Sequence, residues 1–432
     1  MQDPLREAAI EVLRQNDLGG WTRPAPKLYP HQWSWDSAFI AIGLAHVDLD
    51  RALRELESLF EAQWGDGRVP HIVFNPAAQD YFPGPEWWAS AQTSPLAPRD
   101  RATSGLIQPP VHALALERIY ELSRSEDISR RVKQLYPRML KWHRYLATQR
   151  DPGRRGLLVI YHPWESGTDN SPRWDAALAR IQVGDLPPFQ RHDLKVVQDP
   201  TERPSQLEYQ RYMWLVELLK QCGYDDARIQ REYPFRIRDV LMSAIFAAAC
   251  AALSNITPED APELNEYANR FTDGVMQSYE PGSGLAFDYD DVGQHLVQVR
   301  TCAGLAPLLL PRVESDVVDQ VVAELTGPGF AGARGMAYPV VPSTATNAAE
   351  FHPRAYWRGP AWPVFNWLVW WGLREHGRRD VAERLRSANL ALLARPGADF
   401  AEYFEPYTSE PLGSLQQSWT AAVVVDWLAS PR

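Results

Sequence analysis

Apolar residues in this chain recur almost everywhere at the period of an α-helix, and the helices they mark are of two kinds. Leu49, Leu53, Leu56, Phe60 and Trp64 follow one another at steps of four, three, four and four, with charged residues between them, which is the pattern of a helix with one buried stripe. The stretches 241–253 and 364–373 are instead apolar nearly all round, as a helix must be when it is packed on every side. Leu5, Ala8, Ala9, Val12 and Leu13 share another helical face, and comparable segments are expected at about 106–122, 127–150, 172–182, 204–222, 235–254, 258–279, 296–310, 314–326, 360–376, 378–395 and 414–429. Alternating strand patterns are short and few, at 157–161 and 285–289. Buried helices alternating with surface helices, with no linker or low-complexity break, predict an all-α fold. The arrangement expected is one closed ring of helical hairpins, an (α/α)6 barrel, as a single catalytic domain over 1–432. An open helical solenoid is the competing architecture, but no repeat of roughly 30 to 45 residues with matching letters runs through the chain.

Composition narrows the function classes. Hydrophobic residues at 45% and charged residues at 23% are the balance of a folded globular chain. A net charge of -10 with no lysine or arginine stripe argues against nucleic acid as a partner. The longest apolar stretch, 244–253, is about half the ~20 residues a membrane-spanning helix needs, so no membrane association is expected. The first residues include Asp3, Pro4, Arg6, Glu7 and Glu11, unlike a secretory signal. Cys222, Cys250 and Cys302 are odd in number and widely spaced, which fits a reducing cytoplasm better than a disulfide framework or a zinc site. No His-Glu-x-x-His, phosphate-binding loop or dinucleotide fingerprint occurs, so neither a metal nor a cofactor is implied.

The segments that interrupt the helical rhythm are long and rich in Pro, Gly and aromatics: 21–35, 65–103, 161–171, 183–203, 330–359 and 400–413. Loops of this length in a compact domain are usually functional, and here they are expected to cap the mouth of the barrel. Most of the 17 tryptophans lie in or beside them, where a helical core alone would not require them. The densest motif runs from Tyr161 through Trp164, Glu165, Gly167, Asp169, Asn170, Ser171 and Pro172 to Asp175. Asp169, Asn170 and Ser171 can be read as a capping cluster ahead of Pro172, or the loop can hold an acid kept protonated by burial among rings such as Trp164. A second aromatic loop carries Glu402, Glu405 and Glu410 among Phe400, Tyr403 and Phe404. Of these, Glu410 reads as solvated and Glu402 as enclosed. A closed ring could bring Asp169 and Glu402 to one mouth, and two opposed carboxylates are what glycoside hydrolysis requires. Trp33-Ser34-Trp35-Asp36 and Tyr356-Trp357-Arg358-Gly359-Pro360-Ala361-Trp362 supply flat apolar faces beside polar groups, a surface suited to sugars.

Taken together, Trp33-Ser34-Trp35-Asp36, the run from Trp164 to Arg173, Tyr356-Trp357-Arg358-Gly359-Pro360, Glu402-Tyr403-Phe404-Glu405-Pro406 and Ser418-Trp419-Thr420 resemble the motifs of glycoside hydrolase family 63, in the family's order and across most of the chain. The resemblance implies an (α/α)6 barrel and inverting hydrolysis of α-glycosides. It places the general acid on Asp169 and the general base on Glu402, although Glu405 stands where relatives often carry Asn or Asp. The chain has no room for the extra β domain of the long eukaryotic members and is similar to the short bacterial members that hydrolyse mannosylglycerate and glucosylglycerate. By the same resemblance the sugar would meet Trp35, Asp36, Trp357, Trp362 and Gln417, with Trp164 in the wall. The glycerate would meet Tyr81, Gln108, Arg203 and Tyr356. The expected partner is thus a small-molecule glycoside, and self-association as a homo-oligomer is left open. Three other readings compete: an α-glucosidase or trehalase acting on a neutral disaccharide, a non-catalytic sugar-binding barrel, and a terpene cyclase built on Asp288-Tyr289-Asp290-Asp291.

Overall fold

The structure, a computed structural model, describes residues 2–78, 81–197 and 199–431. It is helix-rich. Twelve helices carry the architecture: α1 (Gln2–Asn16), α2 (Ser34–Leu44), α3 (Leu49–Glu61), α4 (His112–Leu122), α5 (Glu126–Gln149), α6 (Gln206–Gln221), α7 (Val240–Ser254), α8 (Ala261–Gln277), α9 (Ser315–Leu325), α10 (Pro363–Glu375), α11 (Arg379–Leu393) and α12 (Ser418–Ala429). A 3-10 segment, Cys302–Leu309, acts as a further buried helix. The two kinds expected from the periodicity separate in space. Every residue of α2 is buried, as is nearly all of α7 and α12, whereas α3, α5 and α11 keep a charged outer face. The buried helices pack on one another in sequence: α2 on α4, α4 on α7, α7 on the 302–309 segment, that segment on α10, α10 on α12, and α12 back on α2. Each is backed by a surface partner, α3 on α2, α5 on α4, α8 on α7, α9 on 302–309, α11 on α10 and α1 on α12. Two of the surface helices, α3 and α5, begin on side-chain caps: Asp48 and Ser125 accept from the backbone of Arg51 and Ile128.

The boundaries differ from the periodicity where local chemistry intervenes. The 106–122 segment becomes helical only at His112, because Pro109 and Pro110 cannot continue the hydrogen-bonded ladder and bias the residues before them toward extended backbone. The 235–254 segment opens as a strand, Ile237–Asp239, before Asp239 caps α7 through the Met242 N–H at 2.7 Å. The 296–310 segment is not an α-helix: His295–Val297 is a strand and Pro307 lies within the 3-10 turn that follows. The 172–182 segment shortens to a 3-10 turn, Pro172–Trp174, and a helix, Asp175–Ala179. Helix α2 has no counterpart among the expected segments: its start, Ser34-Trp35, falls in the expected loop 21–35, and the apolar run that follows Ser37 is too short to show a period.

The pattern at 157–161 holds one strand, whereas that at 285–289 breaks at Phe287 into Leu285–Ala286, paired with Tyr279–Glu280, and Asp288–Asp290 in another sheet. Leu158–Ile160, Ile237–Asp239, Asp288–Asp290 and His295–Val297 form a four-stranded antiparallel sheet, with Val159 opposite Arg238 and Arg238 opposite Tyr289. Among the described residues no helix is long and apolar enough to cross a membrane.

Candidate active site

Three carboxylates lie in the loop from Trp164 to Asp175, and their environments differ. Glu165 is fully buried and bidentate with Arg150 at 2.8 Å, and it also accepts from the backbone N–H groups of Tyr161 and Ile107. Arg150 in turn contacts Asp226, which Arg68 and the Tyr145 hydroxyl also bind. This pair ties the loop to α5. Asp175 pairs with Arg358 at 2.7 and 2.8 Å near the surface. Asp169 is left over: its backbone carbonyl accepts from the Tyr212 hydroxyl at 3.1 Å, its side chain has no hydrogen-bond or ion-pair partner among the described residues, and it lines a cavity. The loop conformation explains why its side chain stands free. Gly167 takes φ +70°, and a Cβ there would lie 2.7 Å from the Trp35 ring, so only glycine fits beneath that indole. Thr168 is anchored by Arg173 at 2.7 Å. Asn170 accepts from the Trp357 N–H at 2.9 Å. The capping alternative does not hold, because Ser171 makes no side-chain cap to the turn that follows. Burial is the largest influence on Asp169 and raises its pKa from 3.8 to about 7, with Arg203 lowering it and Glu402 raising it.

Glu402 faces the same cavity from the short strand Tyr403–Phe404. Its Oε1 accepts from the Tyr29 hydroxyl at 2.7 Å and its Oε2 from the Ser414 N–H at 2.9 Å. Gly413, at φ +71°, allows that approach: a Cβ on it would lie 2.5 Å from Oε2. Glu405 is turned away and accepts from the backbone of Tyr407 and Thr408, while Glu410 pairs with Arg354.

The remaining walls are aromatic and polar. Trp35, Trp164, Trp357, Tyr81 and Tyr356 line the cavity together with Asp36, Gln108, Arg203 and Gln417. Asp36 has its pKa raised, first by burial and then by the charge of Glu402. Gln108 Oε1 accepts from the Trp35 N–H at 3.3 Å, and Gln417 Oε1 from the Ser414 hydroxyl at 2.7 Å. Arg203 lies over the Tyr356 ring at 4.4 Å, bonds the Tyr29 hydroxyl, and approaches Glu402 at 3.7 Å. It pairs with neither neighbouring glutamate, because Glu202 binds Arg354 and Glu208 closes the capping box of α6.

Two expectations are corrected. Trp362 does not line the cavity: it stacks behind Trp357 at 3.8 Å and 5°, with Tyr403 on its other face, and so supports the wall rather than forming it. The terpene-cyclase cluster is a structural one. Asp288 binds Arg173 and the Val240 N–H, Asp290 binds Arg180 and the loop backbone, and Asp291 binds Arg238. Those carboxylates are consumed by the sheet and its neighbours. One contact went unread in the sequence. Tyr29, in an irregular aromatic loop, is the hydroxyl that touches Glu402, and the 373 positions between them carry no local signal.

Comparison with known proteins points to the same chemistry. The mannosylglycerate hydrolase MGH1-like glycoside hydrolase domain matches residues 29–420. A glucosylglycerate hydrolase from Mycolicibacterium hassiacum is 45% identical over 438 residues, covering 98% of this chain and 97% of its own. A mannosylglycerate hydrolase from Thermus thermophilus is 41% identical over 425 residues, covering 97% and 99%. The crystal structure of a GH63 mannosylglycerate hydrolase from Thermus thermophilus in complex with Tris and D-glycerate superposes with a TM-score of 0.91 at 40% identity, over 98% of this chain and all of that one. The chain therefore belongs to the mannosylglycerate hydrolase MGH1-like glycoside hydrolases, within glycoside hydrolase family 63.

Proposed function

We propose that this glycoside hydrolase cleaves the α-glycosidic bond of glucosylglycerate or mannosylglycerate with inversion, releasing the sugar and glycerate. Asp169 is the general acid, and the observation that carries this reading is its isolation: of three carboxylates in one loop, it alone has no side-chain partner among the described residues and faces the cavity. A carboxyl whose pKa is raised to about 7 keeps a proton in neutral solution and can donate it to the leaving glycosidic oxygen. Glu402 takes a proton from the water that attacks the anomeric carbon on the opposite face, as the bond to the leaving oxygen breaks. The Tyr29 hydroxyl and the Ser414 N–H fix the orientation of that base.

Trp35, Trp164 and Trp357 cover apolar sugar faces, Asp36 and Gln417 accept and donate to its hydroxyls, and Trp362 stiffens Trp357 from behind. Arg203, with Tyr81, Gln108 and Tyr356, holds the glycerate. We place these groups at the mouth of an (α/α)6 barrel forming one catalytic domain, a reading supported by buried helices whose packing returns from α12 to α2. Unpaired Cys222, Cys250 and Cys302 fit a cytoplasmic enzyme. Proton NMR of a panel of glucosylglycerate, mannosylglycerate, trehalose and a malto-oligosaccharide tests the proposal. The expected first product is the β-anomer of the sugar from a glycerate glycoside. Initial release of the α-anomer would rule out inversion, and preference for trehalose would rule out the glycerate assignment.

A further inference from the structure

Arg203 borders two cavities. With Pro204 it is shared by the reaction cavity and a second one, which is also lined by Arg191, Arg211 and Arg358. Two of these cations are matched: Arg191 by Asp193 and Arg358 by Asp175. Arg211 is not. It forms no ion pair among the described residues, and its Nε is buried without a hydrogen-bond partner. The same holds for the Nε of Arg203, whose side chain is only 4% exposed. Glu208, which also borders this cavity, turns its carboxylate back onto the Ser205 N–H at 2.7 Å. The cavity therefore carries cationic capacity that the protein itself leaves unused, in a chain whose net charge is -10.

We propose that this second cavity is an anion-binding vestibule for the carboxylate end of the substrate, with Arg211 as its free cation and Arg203 as the next guanidinium inward. The inference rests on the glycerate reading of the active site. An anionic glycoside approaching an acidic protein is repelled at long range, and a cleft lined by arginines reverses that field locally and raises the rate of encounter. Arg211 touches neither the reacting atoms nor the sugar site, so it acts on capture of the substrate and not on bond cleavage.

The test compares kcat and kcat/KM of the wild type, Arg211→Gln and Arg211→Lys, on glucosylglycerate and on the uncharged glucosylglycerol, at low and high ionic strength. Arg211→Gln should lose about tenfold in kcat/KM on the charged substrate at low ionic strength, the low end for electrostatic steering. The loss should close at high ionic strength, where exposed charges are screened. Its kcat and its activity on glucosylglycerol should be unchanged, and Arg211→Lys should keep most of the wild-type rate. An Arg211→Gln enzyme that matches a charge-preferring wild type, or that loses equally on both substrates, overturns the vestibule alone. A wild type without preference for the charged substrate overturns the glycerate reading, and the vestibule with it.

Discussion

Glu165, Asp169 and Asp175 have near-identical chemistry and lie within one loop, yet they do three different things. Glu165 is held in a buried ion pair, Asp175 in a surface one, and Asp169 is desolvated without a partner. The consequences for substitution follow from those partners. Asp169→Asn and Glu402→Gln should each lower turnover by a factor of at least ~100 with the circular dichroism spectrum unchanged, since each removes a group proposed to transfer a proton. Glu405→Gln should keep most of the activity, because that side chain bonds only its own turn. Asp169 also links activity to pH. Its pKa lies near 7 against an ordinary 3.8, so the acid form is lost as the pH rises through about 7. The rate should fall there, with an alkaline limb in kcat/KM. The folded state holds that proton more tightly than the unfolded chain, so the stability it contributes is full below the ordinary carboxyl range and is lost as the pH rises through about 7. Asp169→Asn should therefore melt above the wild type at pH 8, and the difference should vanish toward pH 4 in paired thermal scans.

At the scale of an element, the loop from Trp164 to Trp174 functions because it is pinned at both ends and closely packed in the middle. The Arg150–Glu165 pair fixes its start, Arg173 fixes Thr168, and Gly167 allows the Trp35 ring to lie against the backbone. Glu165→Gln removes the bidentate carboxylate from Arg150, which keeps Asp226 as its remaining anionic partner, and should cost about 1.5–3 kcal/mol, the range for hydrogen bonds to a charged group, measured by chemical denaturation. Gly167→Ala places a methyl group 2.7 Å from an indole carbon at a positive φ. It should destabilise by more than about 1 kcal/mol, and activity should fall with it because Trp35 must move off the sugar wall. An alanine variant with unchanged kcat and melting temperature would show that the loop tolerates displacement of that ring.

For the molecule as a whole, the governing quantity is charge. An acidic chain that takes an anionic substrate needs a buried cation at the aglycone end, the role proposed for Arg203, which lies 4.4 Å over the Tyr356 ring. Charge-assisted hydrogen bonds contribute about 1.5–3 kcal/mol each, so Arg203→Ala should weaken kcat/KM on glucosylglycerate by roughly ten- to a hundredfold or more. It should affect glucosylglycerol much less. Equal losses on the two substrates would make Arg203 structural, a support for Tyr29 and Glu402 and not a reader of the carboxylate.

The amino-acid sequence determined that the protein is helical, that its helices are of two kinds, and that aromatic, acidic loops break their rhythm, because helical period and turn chemistry are local properties that survive without neighbours. The motifs also identified its glycoside hydrolase family. Periodicity did not reveal α2, whose apolar run from Ala38 to Leu44 is too short to show a period, nor that 295–297 pairs as a strand. The motifs had singled out Asp169, but only the tertiary structure showed why Glu165 and Asp175 differ from it, placed Trp362 behind Trp357, consumed the Asp288 cluster in structural bonds, and brought Tyr29 to Glu402. Each of those outcomes depends on which arginine, ring or backbone N–H arrives from a distant part of the chain, and a carboxyl group takes its protonation and its role from those arrivals.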